Sequence, residues 1–171
     1  MMQQIEFGAP WGKVLKTATV LTVGLIFVVT AGILVFGGSE PVVKIVAVSV
    51  PAIILVAALF FTVRGYVLTQ DAIFVKRLVW RTRLTLDGLH SVTGDAHAMQ
   101  GAFRVFGNGG LFSFSGEFWN RKLGRFRALA TDPSRAIVLR YPQRTIVITP
   151  HDPQQFIMRA RTLIKTRDFP V

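Results

Sequence analysis

The chain has no cysteine. Disulfide cross-links, thiolate metal sites and cysteine nucleophiles are therefore excluded, although this absence does not assign a compartment. Charge is also scarce: 17% of the residues are Asp, Glu, Lys or Arg, against roughly 25% in an ordinary soluble domain. Acidic residues are the rarer kind, with 9 Asp+Glu against 20 Lys+Arg and a net charge of +11. Two windows lack ionisable side chains altogether, Thr17 to Ser39 (23 residues) and Ile45 to Val63 (19 residues). No Asp, Glu, Arg or His stands in the middle of either window. Groups of that kind mark transport pathways, so their absence argues against a transporter or channel.

What is present, in a chain 51% hydrophobic, is enough apolar sequence for two membrane spans. The first window is about 35 Å long as a helix, and a hydrocarbon core of about 30 Å is crossed by that length with slight tilt. It is too long for the apolar core of a signal peptide, and no small-x-small cleavage site follows it. A soluble buried hairpin would need more covering sequence than follows. The two windows are joined by "GGSEPVVK", whose Gly37, Gly38, Ser39 and Pro41 form turns, so the helices should be antiparallel neighbours. Pro51 lies inside the second span, where a neighbouring helix must satisfy the carbonyl that it frees. Lys13 and Lys16 flank the first span, and the hairpin loop offers only Lys44 against Glu40. The positive-inside rule then puts both termini in the cytoplasm, with Trp11 and Tyr66 as aromatic anchors at one interface.

From Tyr66 onward seventeen basic residues stand with seven acids if Arg64 is counted, and the texture becomes short β-rich runs between turn signals. The runs are "YVLT", "AIFVKR", "LVWRTRLTL", "LHSVTG", "AFRVFG", "LFSFSGEFW", "FRALAT", "AIVLRY" and "RTIVITP". Alternation puts Ile137, Leu139 and Tyr141 on one face with Arg140 opposite, as in a half-buried strand with one solvated face. The segment "TPHDPQQFIMRARTLIK" predicts a helix over 153–166. Asp152 is its N-cap, Pro153 its first residue, and Phe156, Ile157, Ala160, Leu163 and Ile164 its apolar stripe. About seven strands and one terminal helix suggest a small barrel or orthogonal sandwich plugged by that helix.

The segment from Tyr66 resembles the bacterial pleckstrin-homology-like (PH-like) domains. "YVLTQDAIFVKR" looks like their first hairpin and "RLTLDGLHSV" like the following strand. "FRVFGNGGLFSFSGEFWNRKLGRFRALATD" and "AIVLRYPQRTIVITPHDPQQF" resemble a subgroup with an elaborated middle hairpin. The resemblance covers about 100 residues. It implies a seven-stranded antiparallel barrel closed by a C-terminal helix, no enzyme, and no defined ligand residues to carry over. The expected organisation is a short N-terminus (1–13), a first span (14–37), a loop (38–43), a second span (44–64) and the PH-like domain (66–171).

"VFGNGGLFSFSGEF" has the glycines of a phosphate loop but neither the Lys-Ser/Thr pair nor a following helix, and no βαβ frame surrounds it. Asn108-Gly109 instead signals a two-residue hairpin turn, with Gly110 as a bulge and Gly116 interrupting a face of phenylalanines. Two basic groups are candidate membrane-surface contacts. Lys76, Arg77, Arg81 and Arg83 surround Trp80, and their spacing is similar to the headgroup-binding strands of eukaryotic PH domains. Arg121, Lys122, Arg125 and Arg127 interleave with aromatics, but a membrane tether disfavours nucleic acid as their partner. His90, Asp95 and His97 share one loop without further ligands, and Ser113 and Ser115 lack a recognisably spaced histidine. No metal, cofactor or catalytic residue is expected. The expected protein is a multi-pass component of the bacterial inner membrane. Its PH-like domain would bind or scaffold a protein partner or a second copy; the alternative is recognition of anionic phospholipid.

Overall fold

A computed structural model describes residues 4–168; the N-terminal and C-terminal expectations for 1–3 and 169–171 lie outside the described residues. The first element is a strand, β1 (Ile5–Gly8). Two long helices follow, α1 (Lys13–Phe36) and α2 (Pro41–Phe60), about 36 and 30 Å long at 1.5 Å per residue. Both are long and apolar enough to cross a membrane. Pro41 starts α2 where its missing N–H costs nothing. Phe27 and Val28 of α1 (73% and 66% exposed) and Ile45 and Ile53 of α2 (66% each) are among many large apolar side chains that face outward, so the described residues do not bury either helix. Pro51 cannot donate to the Ala47 carbonyl; Thr30 Oγ1 on the other helix donates to it at 3.4 Å.

Nine further strands, one short 3-10 helix (Pro133–Arg135) and a C-terminal helix complete the described residues. They are β2 (Gly65–Leu68), β3 (Ala72–Lys76), β4 (Arg81–Thr85), β5 (Ser91–Gly94), β6 (Phe103–Gly109), β7 (Phe114–Asn120), β8 (Gly124–Ala130), β9 (Ile137–Arg140), β10 (Thr145–Ile148) and α3 (Pro153–Asp168). Each of these strands overlaps one of the β-rich runs, but the architecture is not a closed seven-stranded barrel. The described residues form two separate sheets, one of order β1-β2-β3-β4 and one of order β5-β9-β10-β8-β7-β6. β8 and β10 pair in parallel, so the sheets are not purely antiparallel either. The tenth strand, β1, pairs Ile5 with Leu68 and Gly8 with Gly65, so residues ahead of the helices belong to the domain's sheet.

Two apolar cores explain the arrangement. The first lies between the sheets and α3, and joins Tyr66, Leu68 and Ile73 to Ile137, Leu139, Ile146 and Phe156. Phe7 of β1 closes it against Phe156, ring to ring at 5.1 Å. Asp152 Oδ1 accepts the Gln155 N–H at 2.9 Å, and Phe156 and Ala160 of α3 are fully buried. The second core covers the opposite face of the six-stranded sheet, with Phe114, Phe118, Phe126, Val138 and Val147 packed around Leu15 of α1. Arg140 is exposed, as expected for the solvated face of β9, but Val138 and Val147 on the same face of β9 and β10 are buried, because the root of α1 and the 95–102 loop lie across them. Full burial of each such side chain stabilises by about 1.5–3 kcal/mol. Tyr66 is no interface anchor: it is wholly buried, and its hydroxyl donates to the Leu129 carbonyl at 2.7 Å.

Candidate functional site

The β6–β7 hairpin ends against α1. Its turn is not the expected Asn108-Gly109 pair, which still lies in the ladder opposite Ser115 and Phe114. The chain reverses over Gly110–Ser113, with Gly110 at φ 130° and Phe112 at φ 64°. Asn108 serves this wider turn through its side chain, accepting the N–H groups of Gly110 (3.2 Å) and Leu111 (2.9 Å) at Oδ1. Thr19, in the second turn of α1, then grips the tip. Its Oγ1 donates to the Gly110 carbonyl and accepts the Phe112 N–H, both at 3.1 Å. Trp11 packs on Phe112 at 6.0 Å. Behind the tip Gly107 faces Gly116 across the ladder, and a Cβ on Gly116 would run into the Phe106 carbonyl. The strands can approach this closely only without side chains there.

The end of α2 is held by the domain as well. The Phe61 carbonyl, one residue past the helix, accepts Arg77 Nη1 at 2.5 Å and Ser113 Oγ at 3.2 Å. A cation here also suits the negative end of the helix dipole. Arg77 is only 8% exposed. Its Nη2 donates to Ser115 Oγ at 2.9 Å and its Nε to Thr82 Oγ1 at 3.4 Å, and the guanidinium lies by the rings of Phe61 and Trp80. Every one of these partners is neutral. Burial, then the like charge of Arg127, pulls the Arg77 guanidinium below its usual range.

Arg77 forms part of the wall of a groove of about 660 Å³ between the helices and the β6–β7 hairpin. Ala18 and Thr22 of α1 and Ile54, Ala57 and Ala58 of α2 line its apolar side. Arg77, Arg104 and Arg127 line the other, with Ser115 and Glu117. Glu117 is engaged by Arg125 at 3.2 Å. Of the nine candidate surface contacts only Arg77 and Arg127 line it, together with the expected turn residues Asn108, Gly109, Gly110 and Gly116. Lys76 pairs with Glu6 of β1 (3.0 Å), Arg83 with Asp71 (2.7 Å) and Lys122 with Asp95 (2.5 Å). Asp71 is held below the usual carboxylate range first by the hydrogen bond from Thr69, and Asp95 first by the bond from Lys122. Arg81 and Arg121 are exposed on other parts of the surface, and Trp80 packs edge-on against Phe61 at 5.1 Å. Arg104 was not among the candidates. It stands alone among aromatics in the sequence; its ladder partner is Phe118 of the second core, and it borders both this groove and the surface beside Phe114 and Phe118.

The family model described as Bacterial PH domain matches residues 64–164. The chain belongs to the bacterial PH domain family. No curated protein and no solved structure matches it. The PH domain match runs from just before β2 into α3, and leaves out β1, α1 and α2. The groove is therefore half inside the family domain and half outside it. Membership in the family suggests a binding or scaffold module.

Proposed function

We propose that this bacterial PH domain protein is a membrane-anchored, non-catalytic binding module. Its helices cross the membrane as a hairpin, with both termini on the cytoplasmic side, and its domain is fixed against the inner leaflet rather than floating on a tether. The observation that carries this reading is the double clamp. Thr19 holds the β6–β7 tip to α1, and Arg77 and Ser113 hold the end of α2. With the helices in a bilayer, this clamp holds Leu78, Val79, Trp80 and Phe106, all exposed, at the level of the interface. Nearby basic residues gain about 1 kcal/mol each from an anionic leaflet. The anionic membrane surface is thus the ligand that the geometry supports best.

An environment-sensitive fluorophore on a single introduced cysteine tests this, since the chain has none of its own. In nanodiscs containing anionic lipid, probes at Val79→Cys and Phe106→Cys should emit as in an apolar medium, and a probe at the exposed Gln154→Cys as in water. Water-like emission from all three would reject a surface-seated domain. A protein partner is the second reading, favoured by one feature. β6 is an edge strand with Phe103 and Val105 exposed, and such an edge can accept a strand from another chain. Binding of a stoichiometric protein that is lost on Val105→Pro would support it.

A further inference from the structure

Among the described residues, β6 is the strand edge that the fold leaves both bare and apolar. We propose that it receives an extended segment of a protein partner in which acidic and apolar residues alternate, so that the partner's backbone adds a strand beside Phe103–Phe106. This inference rests on the reading of β6 as a docking edge, and it gives the partner its chemistry.

The treatment of the other edges is the first argument. An edge strand is a template for pairing unless it is short, charged or covered. β1 is four residues long, and its Gly8 carbonyl accepts the His151 N–H at 2.8 Å. β4 carries Arg81 and Arg83, both exposed. Along β5, Arg161 of α3 donates from Nε and Nη2 to the Val92 carbonyl, at 3.1 and 2.9 Å. β6 has no such guard. It pairs with β7 alone, and in a ladder alternate residues turn their N–H and C=O groups away from the partner strand. Phe103, Val105 and Phe106 are all exposed along it. Phe103 stands seven residues back from Gly110, up to about 23 Å along the hairpin at about 3.3 Å per residue, and so beyond the tip that Thr19 holds to α1.

The two faces of the hairpin are the second argument, because they select the side chains of an added strand. The ladder sets Phe103 opposite Trp119 and Phe106 opposite Glu117 on one face. The rings of Phe103 and Trp119 lie 5.3 Å apart, and Trp119 is exposed. Arg104 lies on the other face, opposite Phe118. It uses one nitrogen on the Gly107 carbonyl, at 3.1 Å, and enters no ion pair among the described residues. Arg121, exposed and likewise in no ion pair among them, shares a hollow with Gln100, Gly101 and Trp119 at the start of the edge. An added strand turns alternate side chains to the two faces, so apolar residues suit Phe103, Phe106 and Trp119 while acidic ones suit Arg104. A second copy lacks that acid. Glu6, Asp71, Asp95, Glu117 and Asp132 are held in ion pairs, and Asp152 caps α3. The remaining described acids, Glu40, Asp87 and Asp168, lie outside the strands. The complementary charge therefore comes from a different chain.

The test uses the full chain in nanodiscs of phosphatidylcholine, which present no anionic lipid. Fluorescence anisotropy follows a labelled synthetic peptide of alternating glutamate and valine. This peptide should bind one to one, and a lysine–valine peptide of the same length should not. Arg104→Gln with Arg121→Gln should weaken binding by about tenfold. Both side chains are exposed, and unchanged thermal unfolding of the variant controls for folding. N-methylation of the peptide at every valine or, separately, at every glutamate leaves the protein untouched. One of these two peptides should lose binding and the other keep it, because only alternate residues turn their N–H groups to a neighbouring strand. Equal binding of the acidic and basic peptides, binding of neither, an unaffected arginine variant or equal behaviour of the two methylated peptides would overturn the proposal. So would a disulfide between two chains through Val105→Cys, since a second copy would then hold the edge. If the acidic peptide fails while a stoichiometric protein is still lost on Val105→Pro, the docking edge stands and this inference alone is refuted. If nothing binds at the edge, both fall.

Discussion

Two side chains carry more than their place in the sequence suggests. Tyr66 reads as an interface anchor because it follows an apolar run, yet its hydroxyl is at the centre of a buried polar knot. It donates to the Leu129 carbonyl and accepts the Thr149 N–H, at 2.7 and 3.1 Å. Burial pushes its pKa from 10.0 up to about 12. The native state therefore keeps the phenol proton at a pH where the unfolded chain has released it. The stabilisation is complete below pH 10 and is lost as the pH rises to about 12, a loss of roughly 3 kcal/mol at 1.36 kcal/mol per pH unit. Unfolding of wild type and Tyr66→Phe across this range checks the sign: the wild type should lose stability more steeply. The phenylalanine variant should also be weaker by about 1–3 kcal/mol at neutral pH, since it strands the Thr149 N–H. Arg77 is the second case. Arg77→Lys keeps the charge but cannot reach Phe61, Ser115 and Thr82 together, so the helix end and β7 come apart from β3. A loss of about 1–3 kcal/mol in the unfolding of the detergent-held chain is expected. An unchanged midpoint would mean that the clamp contributes nothing.

At the scale of elements, the β6–β7 hairpin shows what pattern can and cannot convey. Its glycines mark a turn region, but the two-residue turn that Asn108-Gly109 favours is displaced by the contact with Thr19. The tip must present the Gly110 carbonyl and Phe112 N–H together, and a four-residue reversal does so. Gly107 and Gly116, at φ 101° and 152°, permit the strands behind it to close up. Gly116→Ala should accordingly cost at least 2 kcal/mol, an order-of-magnitude figure for strain combined with a backbone clash. Gly8→Ala, where nothing lies within 4 Å of the added carbon, should change stability by less than about 0.5 kcal/mol. Parallel thermal unfolding of the two variants decides this. β1 escaped notice because "IEFG" is too short to signal a strand, and its partner β2 lies beyond both helices. The helices were legible from missing charge alone; the second face of β9 and β10 was not, since its cover comes from Leu15 at the start of α1.

For the whole molecule, this interleaving means that helices and domain are one structural unit. β1 precedes the helices and completes the sheet that follows them, and Leu15 belongs to the domain's second core. A chain beginning at residue 64, where the family match starts, should thus be destabilised although it keeps nine of the strands. Expression with and without residues 4–63, followed by limited proteolysis, should show rapid cleavage of the shorter form. The candidate site was half legible for the same reason. Arg77 and Arg127 stood out as basic residues near aromatics, whereas the groove requires Ala57, Ala58 and Thr22 from segments that read only as apolar spans.

A transmembrane hairpin with the domain on one side requires that the helix connection and the C-terminal helix lie on opposite faces of the membrane. Two single-cysteine variants, Ser39→Cys in the connection and Gln154→Cys at the start of α3, can be labelled in intact bacterial cells with a membrane-impermeant maleimide. Ser39→Cys should react from outside, and Gln154→Cys only after the cells are opened. Equal labelling of both positions in intact cells, or protection of both until lysis, would contradict the hairpin and the membrane-seated domain built on it.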